Sequence, residues 1–317
     1  MRAFLYNDGK ATELPFAEGA AHFGTAELVW LHLDGQEPQA AEWLDAQTDL
    51  LDIVRSALTA LETRPRSDVI GHGAILNLRG MGATPDNDPD ALVSLRFWAE
   101  TGRVISFTFR TPLALYGVID KFLGAEIADP GDLLSSFADT VTHQLNPEVA
   151  TLGDSLDECE VALETSGLFT MRRKVSKVRA QSIAYRRFVA PQRAALEELS
   201  TAALSWLDSD DRLHLREAAD RAARMTEELE AIRERAALMH EQLTDLRSEQ
   251  IDGRSLLISI VALIFLPLTF ITGLLGMNVE GIPYAKEPWA FWGVAAFCIA
   301  IGIGVLAYFI GKRWISR

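Results

Sequence analysis

Hydrophobic positions change their spacing along the chain. In the first third, short runs partly alternate apolar and polar residues: Met1–Tyr6, Glu27–Leu33, Ala74–Met81, Leu92–Glu100 and Arg103–Arg110. They are rich in β-branched and aromatic residues and read as strands. Thr101-Gly102 joins the last two as a tight hairpin. Ala83–Asp90 (ATPDNDPD) reads as a turn-rich loop. Gln39–Ala46 and Leu50–Leu61 read as helices, with Asp49 a candidate cap for the second. Residues 1–125 are therefore expected to form an α/β domain.

From Asp129 onward the period becomes helical, punctuated by Pro130, Pro147, Gly167 and Pro191. Between Asp210 and Gln250 the apolar residues fall alternately three and four apart: Leu215, Ala218, Ala222, Met225, Leu229, Ile232, Ala236, Met239, Leu243 and Leu246. This heptad seam predicts one packed face on a helix whose charged faces meet solvent. Residues 126–254 are thus a helical region ending in a long stalk. No breaker stronger than Gly253 separates that stalk from the apolar run beginning at Ser255. A single helix of such length needs partners, which points to an oligomer.

Two uncharged apolar runs close the chain. Ser255–Leu275 is about 21 residues, roughly 31 Å as a helix and enough to span a bilayer core. Trp289–Ile310 is a second such run, with Trp289, Trp292, Tyr308 and Trp314 placed as interfacial aromatics. Expected boundaries are a first span over 255–277, a loop over 278–288, a second span over 289–310 and a basic tail over 311–317. Arg247, Arg254, Lys312, Arg313 and Arg317 flank the spans, whereas the loop has Lys286 offset by Glu280 and Glu287. This bias places both ends in the cytoplasm and the loop outside. The N-terminus MRAFLYNDGK does not read as a signal peptide.

Charge narrows the function. A net charge of −14 over 317 residues disfavours a nucleic-acid partner, which needs clustered Lys and Arg. It suits a protein that concentrates cations. Cys159 and Cys298 are too few for a disulfide framework or a thiolate zinc site. His22, His32, His72, His143, His214 and His240 show no ligand pair on one helical turn. No phosphate loop or nucleophile elbow is present, so neither a nucleotide partner nor an enzyme is expected.

Wound as a helix, the first span has one stripe of small or weakly polar residues: Ser255, Ser259, Ala262, Leu266, Thr269, Gly273 and Gly276. Leu257, Ile260, Ile264, Leu268, Ile271 and Leu275 make a fatty opposite side. Small residues serve both close helix packing and a pore wall, and both readings stand. Neither span holds an ionisable side chain, which disfavours a transporter built on a buried carboxylate or histidine. Pro267 frees one backbone carbonyl. Asn278, where the span ends, is a helix cap or a ligand-facing amide.

Gly276-Met277-Asn278, with Phe265-Leu-Pro-Leu-Thr-Phe270, resembles the signature closing the first of two terminal spans in the CorA superfamily of divalent-cation transporters. Asn278-Val-Glu-Gly-Ile-Pro283 and Pro288-Trp-Ala-Phe-Trp292 are similar to the ZntB zinc-transporter branch. So are Val29–Asp34, Thr63–Arg66, Ser94–Trp98 and Arg103–Ser106. Glu280 departs from the Gly of many ZntB loops, and the magnesium branch often has an acid there. The resemblance implies a funnel-shaped homopentamer in a bacterial-type inner membrane. Its α/β domains and stalks would be cytoplasmic, its first spans would line an axial pore, and its second spans would ring them. Asn278 would meet a hydrated cation through its water shell at the outer mouth, with Glu280 and Glu287 raising local cation concentration. Thr269, Leu266, Ile258 and Ser255 would face the pore, Thr269 as a cation contact. The cargo implied is Zn²⁺, with Mg²⁺, Co²⁺, Ni²⁺ or Cd²⁺ as alternatives, no resident cofactor, and coupling to protons as one expectation. A membrane-anchored structural or signalling oligomer is the alternative outside transport.

Overall fold

A computed structural model describes residues 1–61, 63–83, 92–161, 168–277, 281–282, 284 and 286–311. The chain divides into two compact units, Met1–His240 and Glu241–Arg317.

The first unit is built on a mixed sheet. Its strands are β1 (Arg2–Asn7), β2 (Lys10–Leu14), β3 (Leu28–Asp34), β4 (Arg66–Ile70), β5 (Gly73–Met81), β6 (Leu92–Glu100) and β7 (Arg103–Thr108). The order is β2-β1-β3-β7-β6-β5-β4, with β3 and β7 parallel and the other neighbours antiparallel. Short helices α1 (Phe16–Ala21), α2 (Pro38–Ala46) and α3 (Asp52–Thr59) connect the early strands, and α4 (Ala114–Leu123) follows β7. The α/β expectation holds. Sequence patterning misses β2, β4, α1 and α4. The β1–β2 connection does carry a signal, because Asp8 and Gly9 both have positive φ, 51° and 73°, as a two-residue hairpin of the Asp-Gly kind requires.

Central strands are buried on both faces. Leu28 to Leu33 are all buried, so β3 reads as a continuous apolar run and not as an alternation. One face packs aromatics from α4 and the next helix: Trp30 stacks on Phe4 with ring centroids 4.5 Å apart, and Phe97 meets Phe137 at 4.8 Å. The other face packs Leu33, Leu44, Val54, Leu58, Trp98 and Phe107. Asp49 is not a cap. It pairs with Arg103 at 2.5 Å, and α3 starts without a side-chain cap bond.

Long helices complete the unit: α5 (Pro130–Val161), α6 (Leu168–Thr201) and the start of α7 (Ser209–Leu275). Pro147 and Pro191 lie inside α5 and α6, so they punctuate neither. The predicted Gly167 break lies outside the described residues. The α7 seam is real from Leu215 to Met239, each member at most 3% exposed. Leu243 is also buried, whereas Leu246 is 38% exposed and lies beyond the seam. As expected, α7 runs unbroken past Gly253 and also past Pro267.

His32 sits among the buried aromatics. Its Nδ1 is 2.9 Å from Ser106 Oγ, which also accepts the Trp30 indole N–H at 2.8 Å. Burial, then the positive N-terminus and Arg2, push the His32 pKa down to about 3. The folded protein therefore keeps His32 neutral while the unfolded chain takes up a proton below about pH 6.5. Stability falls as pH drops, by about 1.4 kcal/mol per unit between roughly pH 6.5 and 3. Tryptophan-monitored melts across that window should show this slope, and His32→Gln should flatten it.

Candidate functional site

The second unit holds the end of α7 and α8 (Pro288–Gly311), both long and apolar enough to cross a membrane. Their side chains are mostly exposed in the single chain, the reverse of a soluble core helix. The two helices meet through the predicted fatty side. Ile260 is 4% exposed, Ile264, Leu268 and Ile271 are half-buried, and Leu257 and Leu275 are exposed. A Cβ on Gly302 would sit 4.0 Å from Ile264 Cγ2, at ordinary van der Waals distance, so the two helices are neighbours there.

The opposite stripe is bare. Ser255, Ser259, Ala262, Thr269, Gly273 and Gly276 are exposed, as are Ile258 at 69% and Leu266 at 77%. The predicted pore-lining residues therefore share one uncovered face.

Hydroxyls on α7 divide into two kinds. Ser259 Oγ donates to the Ser255 carbonyl at 2.9 Å, and Thr272 Oγ1 donates to the Leu268 carbonyl at 2.9 Å. These are spent on their own helix. Ser255 and Thr269 make no such bond among the described residues, so their hydroxyls are available. Beside Thr269 an open cleft of ≈ 610 Å³ is lined by Leu263, Leu266, Pro267, Thr269 and Phe270. Pro267 has no N–H, so the Leu263 carbonyl loses its helical donor there.

At the end of α7, the Gly276 N–H donates to the Thr272 carbonyl at 2.9 Å, and Met277 is 48% exposed. Asn278 and Glu280 lie outside the described residues. Glu287 is exposed at the foot of α8, where its N–H donates to the Tyr284 carbonyl at 3.0 Å.

A second group of metal-ligating side chains lies in the first unit. Asp129, Asp132 and Asp211 place one oxygen each within 4.8 Å of one another. Sequence reasoning missed it, though both of its segments, Asp129-Pro-Gly-Asp132 and Asp208-Ser-Asp-Asp211, have the spacing of a capping box. Asp129 Oδ1 accepts the Asp132 N–H at 2.9 Å, and Asp132 Oδ2 accepts the Ala128 N–H at 2.9 Å. Asp208 Oδ1 accepts the Asp211 N–H at 2.9 Å, and Asp211 Oδ2 accepts the Asp208 N–H at 3.0 Å. The starts of α5 and α7 thus meet, and their caps account for the cluster. A Cβ at Gly131 would lie 1.9 Å from Asp211 Oδ2, so only glycine fits there. Among the described residues no histidine joins a metal-ligating group.

An α/β domain, a long helix and two terminal helices long and apolar enough to cross a membrane are the arrangement of a two-span membrane protein. The family model described as "CorA-like Mg2+ transporter protein" matches residues 25–313, and the chain belongs to that family. It is 31% identical to "Zinc transport protein ZntB" of Pectobacterium carotovorum over 309 residues, 97% of this chain and 94% of the relative. The ZntB protein of Cronobacter sakazakii is 32% identical over 90% of this chain and 88% of the relative. Among solved structures, the full-length CmaX protein matches with TM-score 0.76 and 29% identity, covering 96% of this chain and 97% of that one. The CorA magnesium transporter of Methanocaldococcus jannaschii matches with TM-score 0.80 at 18% identity, covering 99% and 98%, and so shares the fold.

The capping cluster makes a prediction of its own. Burial, then the neighbouring charges of Asp129, Asp208 and Asp132, push the Asp211 pKa up to about 7 from 3.8, against the Asp208 N–H that favours its charged form. The folded state therefore holds a proton that the unfolded chain releases above about pH 4. This contribution to stability is complete at low pH and is lost as pH rises through about 7. Asp211→Asn keeps the acceptor for the Asp208 N–H without the charge. Thermal melts should show the variant gaining on wild type at pH 8 and losing that advantage at pH 5; equal gains at both would remove the titration from the account.

Proposed function

We propose that this protein is a zinc transporter in which five copies surround an axial pore lined by the first span. The observation that carries this reading is the 31% identity to ZntB proteins over 97% of the chain. The uncovered stripe from Ser255 to Gly276 is the surface such a pore would use.

Mechanism follows from hydration. A divalent cation holds its water tightly, and neutral ligands alone replace that water at high cost. A ring of Asn278 amide oxygens at the outer mouth accepts hydrogen bonds from the shell instead and orients its dipoles toward positive charge. Glu280 and Glu287 raise the cation concentration outside. Lower down, Thr269 offers its unspent hydroxyl, and Leu266 and Ile258 narrow the path into a hydrophobic gate that closes by dewetting. Ser255 is the next free hydroxyl along the same stripe. The Lys and Arg bias around the spans puts both chain ends in the cytoplasm. With no nucleotide motif in the sequence, the electrochemical gradient, joined by protons, drives the flux. A second reading, passage of Mg²⁺ or Co²⁺, is favoured by Glu280 and by the description of the matching family model.

Uptake of radioactive zinc into proteoliposomes tests this. Asn278→Ala removes every amide of the ring at once and should lower uptake by at least about tenfold, the effect that a single lost hydrogen bond of about 1.4 kcal/mol would already have. Thr269→Val should lower it in the same direction. Thr272→Val should leave uptake unchanged, because the Thr272 hydroxyl already serves its own helix. Equal effects of the two threonine variants would sink the pore assignment. Excess Mg²⁺ abolishing zinc uptake would favour the second reading, and indifference to an imposed pH gradient would remove the proton coupling.

A further inference from the structure

In a chain with 44 acidic and 30 basic side chains, α6 stands apart: from Leu168 to Leu196 it carries Arg and Lys but no Asp or Glu. Some of these charges are paired. Lys174 meets Glu158 at 2.6 Å, Arg186 meets Glu230 at 2.7 Å and Arg193 meets Glu197 at 2.8 Å. The outward face is not. Arg173, Lys177 and Arg187 are exposed and have no ion pair among the described residues, Arg187 lying 5.5 Å from the Phe188 ring. Between them lie exposed Ala180 and Ile183, the latter 49% exposed. A cleft of ≈ 270 Å³ runs beside this strip, with Val175, Arg179 and Ile183 on one wall and Ala236 and His240 on the other. The surface is an apolar strip with a basic rim.

The same unit carries its complement. Opposite the buried seam of α7, Glu227, Ala231 and Glu234 are exposed, and Leu238 is 61% exposed. This is an apolar strip with an acidic rim. Glu234 has no ion pair among the described residues.

Their levels match. The Arg186–Glu230 pair and the shared cleft fix how α6 runs beside α7. Arg187 stands level with the turn from Glu227 to Ala231, and Ile183 with the turn from Ala231 to Glu234. Rotation about an axis parallel to these helices leaves every level unchanged. A face on α6 and a face on α7 that share a level in one chain therefore meet between neighbouring copies, in a head-to-tail contact that closes into a ring.

We propose that the exposed α6 face of one copy docks onto the Glu227–Leu238 face of α7 in the next. The occupant is a second copy of this chain because charge, apolar strip and level all correspond, and each face is bare in the single chain. The inference rests on the ring of copies in the transport reading.

Full-length variants in detergent test it. Lys177→Glu with Arg187→Glu should shift the oligomer toward smaller species at physiological salt, read by mass photometry. Adding Glu227→Lys with Glu234→Lys should restore it. Independently, Ile183→Cys with Ala231→Cys, in a Cys298→Ser background, changes no charge and should give a covalent ladder of copies on mild oxidation, absent from either single variant. An unchanged oligomer after charge reversal, or a monomer-mass product from the cysteine pair, would overturn the contact, the latter deciding the matter even if a reversed chain misfolds. Zinc uptake by the same preparations separates the two ideas. Uptake without a ladder removes the contact and leaves transport, whereas a ladder without uptake by wild type does the opposite.

Discussion

A hydroxyl with no hydrogen-bond partner is costly in hydrocarbon, by several kcal/mol on transfer scales for which no compensating bond exists. Ser and Thr in membrane helices usually escape this cost by bonding back to the carbonyl one turn earlier, as Ser259 and Thr272 do. Thr269 and Ser255 do not, and both lie on the face that α8 leaves bare. That face must therefore meet water or polar groups. Two spans in one chain cannot enclose water, so a path along this stripe would need several copies. In the proposed transporter those two unspent hydroxyls would face the pore.

In the soluble unit the governing constraint is the opposite one: polar groups removed from water have to find partners within the chain. His32, Ser106 and Trp30 satisfy one another in the core. The starts of α5 and α7 satisfy their N–H groups with aspartates at positions that bring like charges together. A carboxylate held against others in a buried site takes up a proton at higher pH than it would in water. The cluster that resembles a metal site thus has a cause internal to the fold, since helix starts favour acids and two of them meet.

Legibility in the sequence depended on how much of the signal was local. The two spans and the seam from Leu215 to Met239 were visible because each is a long run of one kind, and the strands β1, β3, β5, β6 and β7 because each is rich in β-branched and aromatic residues. β4 was hidden because its Arg66–Ile70 stretch is short, polar and at a sheet edge. β2 was hidden for the same reasons, although its Asp-Gly turn was readable. Prolines 147 and 191 misled because tertiary packing holds α5 and α6 together across them. The stripe facing away from α8 was predicted from periodicity, but which of its hydroxyls were free was not. That depends on side-chain rotation, which residue type does not determine. The capping cluster joins residues 129 and 211, a pairing that exists only after folding.

Charge distribution ties the parts together. The chain carries −14, yet neither span has a charge and α6 is wholly basic over most of its length. An acidic protein gains cation concentration near its surface, which suits a cation path. The same field disfavours close approach of identical copies, so an acidic oligomer needs places where its own sign reverses. On the outward face of α6, Arg173, Lys177 and Arg187 supply such a reversal without spending any of the acids that attract the cargo. Under the proposed contact, pairing charge between copies would leave the spans free to select their contacts by hydroxyl, amide and size alone.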